Sequence, residues 1–195
     1  TVRHVVVGII GINGRFGQLL KSFFGQLGCS VIGSDEKKPT GLSNAQVVQQ
    51  SEVVIFSVPI KDTPAVIRSV LHGVREDQLL MDVTSIKQPA VEAMLESKAQ
   101  VVGLHPMFRP EVPFDGQTVV ACPVRLTAPD WKTWVVNMLT ATRAQIKWST
   151  PAEHDGYMMT VQVIPHLGNL TSPLHITEAG VSVRESLDFT SPLYR

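Results

Sequence analysis

The sequence is poor in cysteine and in charge, and neither sign of charge is in excess. Its 195 residues include 2 cysteines, Cys29 and Cys122, which lie far apart and have no C-x-x-C partner. Such isolated cysteines favour two reduced core thiols over a disulfide framework or a metal site. Charged residues make up 17% of the chain, and 17 basic side chains balance 17 acidic ones. We therefore expect no basic surface for nucleic acid and expect small molecules as partners.

The sequence also lacks long apolar runs and convergent metal ligands. No run reaches the roughly 20 apolar residues that span a bilayer, and the chain enters its first strand without a signal-peptide pattern. We therefore expect a cytoplasmic protein with no membrane partner. His154 and His166 fall in one predicted helix, where their spacing turns one from the other by about 120°. Because they need not share a helix face, we predict no metal site.

A glycine-rich turn near the start is the strongest feature that is present. The apolar run over 4–10 predicts a buried parallel strand, and an apolar stripe predicts a helix over 14–27. Between them stand Gly11, Gly14 and Gly17. The free N–H groups of a helix start attract anions, and glycines let a phosphate approach the backbone. This arrangement predicts a site for the pyrophosphate of a dinucleotide.

Asp35 is the candidate for the ribose end of this site. It follows a second predicted strand, 29–33, and lies about 20 residues beyond the turn, where a dinucleotide fold places the acid that accepts hydrogen bonds from ribose hydroxyls. A carboxylate here favours NAD because it would repel the 2′-phosphate of NADP, although Lys37 and Lys38 leave NADP open. The alternative is a glycine-rich turn with an incidental surface aspartate. The predicted cofactor-binding residues are Gly11, Ile12, Asn13, Gly14, Arg15, Phe16, Gly17, Asp35, Ser57, Val58 and Pro59.

Predicted strands and helices alternate over most of the chain. Further strands are predicted at 53–58, 79–83, 101–104, 118–121 and 145–148, and helices at 62–72, from Pro89 onward and at 129–140. The alternation predicts an α/β fold over 1–149, with a Rossmann-like, doubly wound, mostly parallel sheet. From residue 150 the pattern is helical. Its wide apolar face predicts the start of an α-helical dimerisation domain over 150–195 and a homodimer.

His105 is the main candidate for chemistry. It follows the predicted strand 101–104, and an imidazole near its ordinary pKa of about 6.5 accepts a proton at neutral pH. Ser57, Ser85 and the glycine turn end other strands of the same sheet, and such sheets bind ligands at these ends. The alternative is a histidine that is simply packed at a strand terminus.

Several charged side chains are candidates for contact with a substrate. The possible carboxylate anchors are Lys87, Arg109 and Arg195, and arginine is the better suited to bidentate pairing. Each of them is alternatively a solvated surface charge. Glu153 and Asp155, which flank His154, are alternatively the charged first turn of a helix.

Five separated motifs occur in the order found in one enzyme family. They are the glycine turn, D-V-T-S-I-K over 82–87, G-L-H-P-M-F over 103–108, E-H-D over 153–155 followed by Gln162 and His166, and T-S-P-L-Y-R over 190–195. With them the whole chain resembles the prephenate and arogenate dehydrogenases of tyrosine biosynthesis. The likeness is greatest to the bacterial T-protein type, in which the dehydrogenase domain is fused to chorismate mutase.

The resemblance implies roles for individual residues. His105 would be the catalytic histidine that polarises the ring hydroxyl, and Ser85 would be its catalytic companion at that hydroxyl. The implied substrate-binding residues are Arg195, His154, Arg109 and Gln162. Ile12 stands where the T-protein type has a glycine, and Arg109 replaces the glycine of H-P-M-F-G-P. Members of the family continue beyond the position that corresponds to Arg195. We expect this further helical segment to complete the dimer and the substrate cleft.

The resemblance also implies a reaction, the oxidative decarboxylation of prephenate to 4-hydroxyphenylpyruvate with NAD. Hydride would leave the hydroxyl-bearing ring carbon for the nicotinamide, and the ring carboxylate would then leave as carbon dioxide. The alternatives are an arogenate dehydrogenase and an NAD-binding homologue without turnover.

Overall fold

The computed structural model describes residues 3–163, which form one sheet with helices on both faces. The strands are β1 (Val6–Ile10), β2 (Ser30–Ser34), β3 (Val53–Phe56), β4 (Leu79–Asp82), β5 (Gln100–Pro106), β6 (Thr118–Arg125) and β7 (Gln145–Trp148). The helices are α1 (Arg15–Gln26), α2 (Asn44–Gln50), α3 (Thr63–Val70), α4 (Gln88–Leu95), α5 (Pro129–Ala141) and α6 (Pro151–Met158). A 3₁₀ turn, Leu71–Gly73, follows α3, and a π-helical turn, Met159–Val163, continues α6. The predicted Rossmann-like α/β fold is confirmed.

The central strands are buried on both faces, which explains their continuous apolar runs. Along β3, Val53 and Ile55 pack with side chains of α1 and α5, whereas Val54 and Phe56 pack with side chains of α2, α3 and α4. Successive residues of a strand point to opposite faces. The sheet therefore separates two apolar cores, and each strand contributes to both.

The strand order β2-β1-β3-β4-β5-β6-β7 places a topological switch point at β1. The chain first adds β2 on one side of β1 and then crosses to add β3 on the other side. Strands β1 to β5 run parallel to one another, so their carboxyl ends lie at one edge. A crevice between the carboxyl ends of β1 and β3 is where such sheets bind ligands.

Helix α2 was not predicted from the sequence. It spans seven residues, of which Val47 and Val48 are buried. Ser43 and Gln46 form a capping box at its start, since each side chain accepts a hydrogen bond from the other residue's backbone N–H. The S-x-x-Q spacing was the available signal, but the helix is too short for its apolar spacing to stand out.

Strand β6 runs antiparallel to β5, and β7 runs parallel to β6. The sheet is therefore mostly parallel, as predicted, with a change of direction at β6. Pairing with β6 also extends β5 beyond its predicted end at residue 104, because His105 lies opposite Val120 and Pro106 opposite Val119. His105 is thus part of the strand.

Helix α6 packs against β5 and β6. Its Met158 joins Met107, Val120, Cys122 and Val161 in a small apolar cluster. Burial raises the pKa of the Cys122 thiol to about 12, so the thiol stays protonated. No helix within residues 3–163 is both long and apolar enough to cross a membrane.

Part of the sequence prediction lies outside the described residues. This part comprises His166, Arg195 and most of the predicted dimerisation domain. The side chain of Gln162 is also outside the description, although its backbone belongs to the π-helical turn.

Candidate active site

The glycine turn joins β1 to α1 in a conformation that requires glycine. Gly11 has φ of +90°, and a Cβ on it would overlap the carbonyl oxygen of Ser57 at the end of β3. A Cβ on Gly17 would overlap the carbonyl oxygen of Gly11. Gly14 is exposed and forms the N-terminal boundary of α1. The turn therefore leads directly into the free N–H groups of the first turn of α1.

Ile12 contributes its backbone, but not its side chain, to the surface of the turn. Its side chain is 5% exposed and belongs to the core. A Cβ built on Gly33 of β2 would lie 2.6 Å from the Ile12 Cβ, so the isoleucine packs against the bare backbone of that glycine. The nearby Phe16 also packs inward, with its ring centroid 5.9 Å from that of Phe108. The prediction that these two residues contact the cofactor stays untested.

Asp35 holds the turn and the segment after β2 together. Its Oδ2 accepts a hydrogen bond from the Asn13 N–H at 3.1 Å. Its Oδ1 accepts from the Lys37 and Lys38 N–H groups at 3.0 and 2.9 Å. The Asn13 side chain donates back to the Lys38 carbonyl oxygen at 2.7 Å. Asp35 thus has a structural role at the position predicted for ribose recognition.

A cleft of about 260 Å³ opens at the switch point between β1 and β3. Its lining includes the predicted residues Gly11, Gly14, Asp35, Ser57, Val58 and Pro59 and also Asn44 and Asp62, which the sequence did not indicate. A glycine cradle, a helix start and an acid on one cleft fit the pyrophosphate and ribose of a dinucleotide.

His105 is buried in β5 and faces a second histidine. Its Nδ1 lies 2.9 Å from Nε2 of His154 on α6, and the two rings meet edge to face. Nδ1 of His154 lies 2.7 Å from Oδ1 of Asp155. The structure therefore joins two residues named from separate motifs, and it adds Asp155, whose role had been left open.

The carboxylate of Asp155 reaches the start of α4. Its Oδ1 accepts from the Lys87 N–H at 2.7 Å, and its Oδ2 accepts from the Gln88 N–H at 2.9 Å. Helix α4 follows the loop that carries Ser85, which is half-buried. Asp155 therefore connects the His105–His154 pair to the loop after β4.

His154 is completely buried. The His154 ring is within hydrogen-bond distance of the His105 ring and has no surface exposed to solvent. The prediction that His154 contacts substrate stays untested, and its observed partners are His105 and Asp155.

Lys87 is fully buried, and its ammonium group forms an ion pair with Asp82. It also donates to the Leu104 carbonyl oxygen at 2.5 Å, one residue before His105. The prediction that Lys87 anchors a substrate carboxylate is therefore wrong, and so is the alternative of a solvated charge. The acid and the lysine of D-V-T-S-I-K instead tie the carboxyl end of β4 to that of β5.

Both histidines are shifted towards their neutral forms. Burial lowers the pKa of His105 well below its ordinary value of 6.5, and the neighbouring His154 and Lys87 lower it further. Burial also lowers the pKa of His154, although its hydrogen bond to Asp155 opposes the shift. Neutral imidazoles accept protons, so His105 has the protonation state that a general base needs at neutral pH.

The segment after β5 contacts the start of α1, next to the glycine turn. Arg109 is exposed there. Arg15, at the start of α1, forms an ion pair with Glu111, and both side chains are largely exposed. This segment therefore contacts the cofactor turn through Arg15–Glu111 as well as Phe16–Phe108. Over residues 3–163, no group of three or more His, Cys, Asp or Glu side chains is placed to hold a metal ion.

Known proteins resemble the chain in both sequence and fold. It is 30% identical to a probable arogenate/prephenate dehydrogenase of Methanocaldococcus jannaschii, over 98% of the chain and 47% of the relative. It is 32% identical to a T-protein of Enterobacter agglomerans, over 97% of the chain and 50% of the relative. The chain thus spans about half the length of these curated relatives.

The fold likeness includes a crystal structure of prephenate dehydrogenase from A. aeolicus in complex with hydroxyphenyl propionate and NAD+. That match has a TM-score of 0.68 at 16% identity and covers 99% of this chain and 81% of the other. Residues 35–148 match the model of the prephenate dehydrogenase nucleotide-binding domain. This match covers more than half of the chain. The chain therefore belongs to the prephenate dehydrogenase family.

Proposed function

We propose that the chain binds NAD in the cleft at the switch point and oxidises prephenate to 4-hydroxyphenylpyruvate and carbon dioxide. The observation that carries the proposal is a buried His105 at the same edge of the sheet as the glycine turn, where burial lowers its pKa. Family membership supports the reaction class, and the glycine cradle with Asp35 supports the cofactor. Bound NAD supplies the hydride acceptor.

His105 has a defined task in this reaction. As the hydroxyl-bearing ring carbon loses its hydride, His105 accepts the hydroxyl proton and the oxygen becomes a carbonyl oxygen. Loss of the ring carboxylate as carbon dioxide leaves an electron pair that makes the ring aromatic and returns negative charge to that oxygen. His105 then returns the proton, which gives the phenol. A positioned base of this kind contributes roughly 10² to 10⁴ in rate.

Ser85 and Arg109 are proposed as its neighbours at the substrate. Ser85 lies in the loop between β4 and α4 and is proposed to hydrogen-bond the same hydroxyl. Arg109 is an exposed cation four residues beyond His105 and is proposed to pair with a substrate carboxylate. Arg195 and Gln162 remain proposed substrate contacts on the strength of the family motif.

The decisive experiment is prephenate-dependent NADH formation by the whole chain and by His105→Asn. We expect kcat to fall by about 10² to 10⁴, with a much smaller change in NAD affinity. His72→Asn is the matched control, because His72 is exposed in the 3₁₀ turn, and it should match the wild type. Equal rates for the wild type and His105→Asn would remove His105 from the mechanism.

Two further measurements separate the alternatives. Replacing prephenate by arogenate tests the amino acid as substrate, and faster turnover of arogenate would make the chain an arogenate dehydrogenase. Calorimetric binding of NAD without turnover of either substrate would instead indicate a nucleotide-binding homologue.

We also propose the division into a cofactor domain, 1–149, and the start of a dimerisation domain, 150–195. The cytoplasmic homodimer inferred from the sequence belongs to this proposal. Light scattering tests the dimer, and a monomer at concentrations that support full activity would contradict it.

A further inference from the structure

We propose that His154 and Asp155 are positioning residues that fix the tautomer of His105, so that its Nε2 carries the lone pair that accepts the substrate proton. The inference rests on the proposed function for its catalytic meaning. Its geometric part concerns only which ring nitrogen of His105 holds a hydrogen.

Asp155 determines which groups donate and which accept along this chain of hydrogen bonds. An ionised carboxylate only accepts hydrogen bonds, and Asp155 already accepts two backbone N–H groups at the start of α4. A helix start favours the negative charge. The hydrogen between Asp155 and His154, which are 2.7 Å apart, therefore belongs to Nδ1 of His154.

The remaining hydrogens follow from the chemistry of imidazole. A neutral ring has one donor nitrogen and one acceptor nitrogen, so Nε2 of His154 is an acceptor. Across the 2.9 Å contact it must receive the hydrogen of His105 Nδ1. Nε2 of His105 is left with its lone pair, which is the form that a base requires.

Both rings are kept in the neutral state that this ordering needs. His105 is 5% exposed, and His154 has no exposed surface. The buried Lys87 ammonium lies near both rings and disfavours their protonation. Its charge is held by Asp82 and by the Leu104 carbonyl oxygen, so it is not a competing donor to His105 in this geometry.

The proton balance of the reaction is unchanged by this arrangement. The substrate proton passes from the hydroxyl oxygen to Nε2 of His105, while Nδ1 keeps its own hydrogen. The resulting imidazolium donates to His154, whose opposite edge donates to the Asp155 carboxylate. No proton needs to travel to Asp155, which stabilises the charge through the hydrogen bonds it accepts.

The direct test is the ¹⁵N chemical shift of the His105 ring nitrogens in the whole chain without substrate. We expect Nδ1 to be protonated and Nε2 to be unprotonated at pH 7. Asp155→Ala removes the carboxylate that accepts the hydrogen of His154 Nδ1, so we expect a mixture of tautomers with a substantial population of Nε2-protonated His105. A protonated Nε2 in the wild type would overturn the proposal, as would an unchanged tautomer in Asp155→Ala.

The kinetic test uses variants that differ in hydrogen-bond polarity. In His154→Gln the amide must donate to Asp155 and can accept from His105, so it preserves the order of the bonds. His154→Leu fills the space without an acceptor. We expect kcat to stay within about tenfold of the wild type for His154→Gln and to fall by about 10² or more for His154→Leu. We expect little change in KM or in NAD affinity for either variant.

The controls separate positioning from folding. Glu153→Gln changes the neighbouring residue, whose hydrogen bonds within residues 3–163 are to Ser149 and Thr150, and it should leave kcat unchanged. Equal losses in His154→Gln and His154→Leu at matched melting temperatures would contradict the positioning role. If the wild type shows the expected tautomer and no turnover, then the proposed function fails while the tautomer assignment stands.

Discussion

At the scale of single residues, the glycine turn contains positions at which an added Cβ atom would not fit. Gly11 and Gly25 belong to neighbouring parts of the chain but have opposite surroundings. Gly11 has a positive φ and the Ser57 carbonyl oxygen against its Cα, whereas a Cβ on Gly25 would meet nothing within 4 Å. The same substitution should therefore act in opposite directions at these two glycines.

We expect Gly11→Ala to lower the free energy of unfolding by about 2 kcal/mol or more and to abolish NAD binding, since the turn must move. Gly25→Ala, in α1, should raise the free energy of unfolding by about 0.5–1 kcal/mol. Denaturant unfolding and calorimetric titration with NAD measure the two effects. Normal NAD affinity in Gly11→Ala would show that the cofactor does not depend on this turn.

Asp35 should control the choice between NAD and NADP. We expect Asp35→Ser to lower the ratio of the NADP Kd to the NAD Kd by about tenfold or more, because the variant would lose both the repulsion of the 2′-phosphate and the proposed ribose contact. Glu36→Gln is the control, since it removes a charge at the same cleft without touching Asp35 hydrogen bonds. If Glu36→Gln changes the ratio as much, the effect comes from net charge and not from Asp35.

The residue scale also shows what the sequence could and could not reveal. The glycine turn and Asp35 were found because their relation depends on a short strand and helix of nearly fixed length. The contact of His105 with His154 spans 49 positions, and that of Asp155 with Lys87 spans 68. No local periodicity encodes such contacts. The sequence motifs indicated these residues one by one. Only the packing of α6 on β5 and β6 showed that their side chains form one hydrogen-bond network.

At the scale of elements, the buried Asp82–Lys87 pair joins the ends of β4 and β5. Asp82 Oδ2 also accepts from the Thr84 N–H at 3.0 Å, whereas its Oδ1 is a buried oxygen without a hydrogen-bond partner in the described part of the chain. Because the buried Asp82 carboxylate already lacks one hydrogen-bond partner, its stability in the folded chain depends strongly on the Lys87 cation.

We expect Lys87→Met to lower the free energy of unfolding by about 3–5 kcal/mol, because it leaves Asp82 buried and unpaired. The double variant Asp82→Asn/Lys87→Met should recover a large part of that loss. Lys98→Met, which removes an exposed ion pair with Glu76, should change stability by less than about 1 kcal/mol. A double variant that is no more stable than Lys87→Met would show that the pair contributes through packing and not through charge.

The elements themselves were largely predictable, with two instructive exceptions. Helix α2 carries only two buried residues, so its amphipathic signal is weak. The direction of β6 was not predicted, because direction depends on where the connection between β5 and β6 returns the chain. The apolar character of β6 is the same for either direction.

At the scale of the whole molecule, the two buried histidines link stability to pH. Their pKa values are lowered in the folded chain, so the unfolded chain binds protons more readily below about pH 6.5. The free energy of unfolding should therefore be unaffected by them above pH 7 and should fall as pH drops below 6.5. The slope approaches about 1.4 kcal/mol per pH unit for each histidine that stays neutral when folded.

Denaturant unfolding of the wild type and of His105→Gln between pH 7 and pH 5 checks this expectation. Carboxylates titrate in both proteins, so the difference between the two curves reports His105 together with the change that its loss makes at His154. We expect the difference to grow in favour of His105→Gln as pH falls. Parallel curves would mean that His105 is protonated as readily in the folded chain as in the unfolded chain.

The position of His105 within β5 also determines how slowly its backbone amide exchanges with solvent. All seven residues of β5 are buried, and the strand is paired on one side with β4 and on the other with β6. Backbone amides in such a place exchange with solvent only when the whole domain opens, whereas exposed turns exchange through local fluctuations. We therefore expect the slowest amide exchange around Leu104 and much faster exchange at Gly14. His105 and the glycine turn, which we propose as parts of one site, would then differ in dynamics. The strand that carries His105 would stay closed until the domain unfolds, whereas the turn would be able to adjust each time a ligand binds.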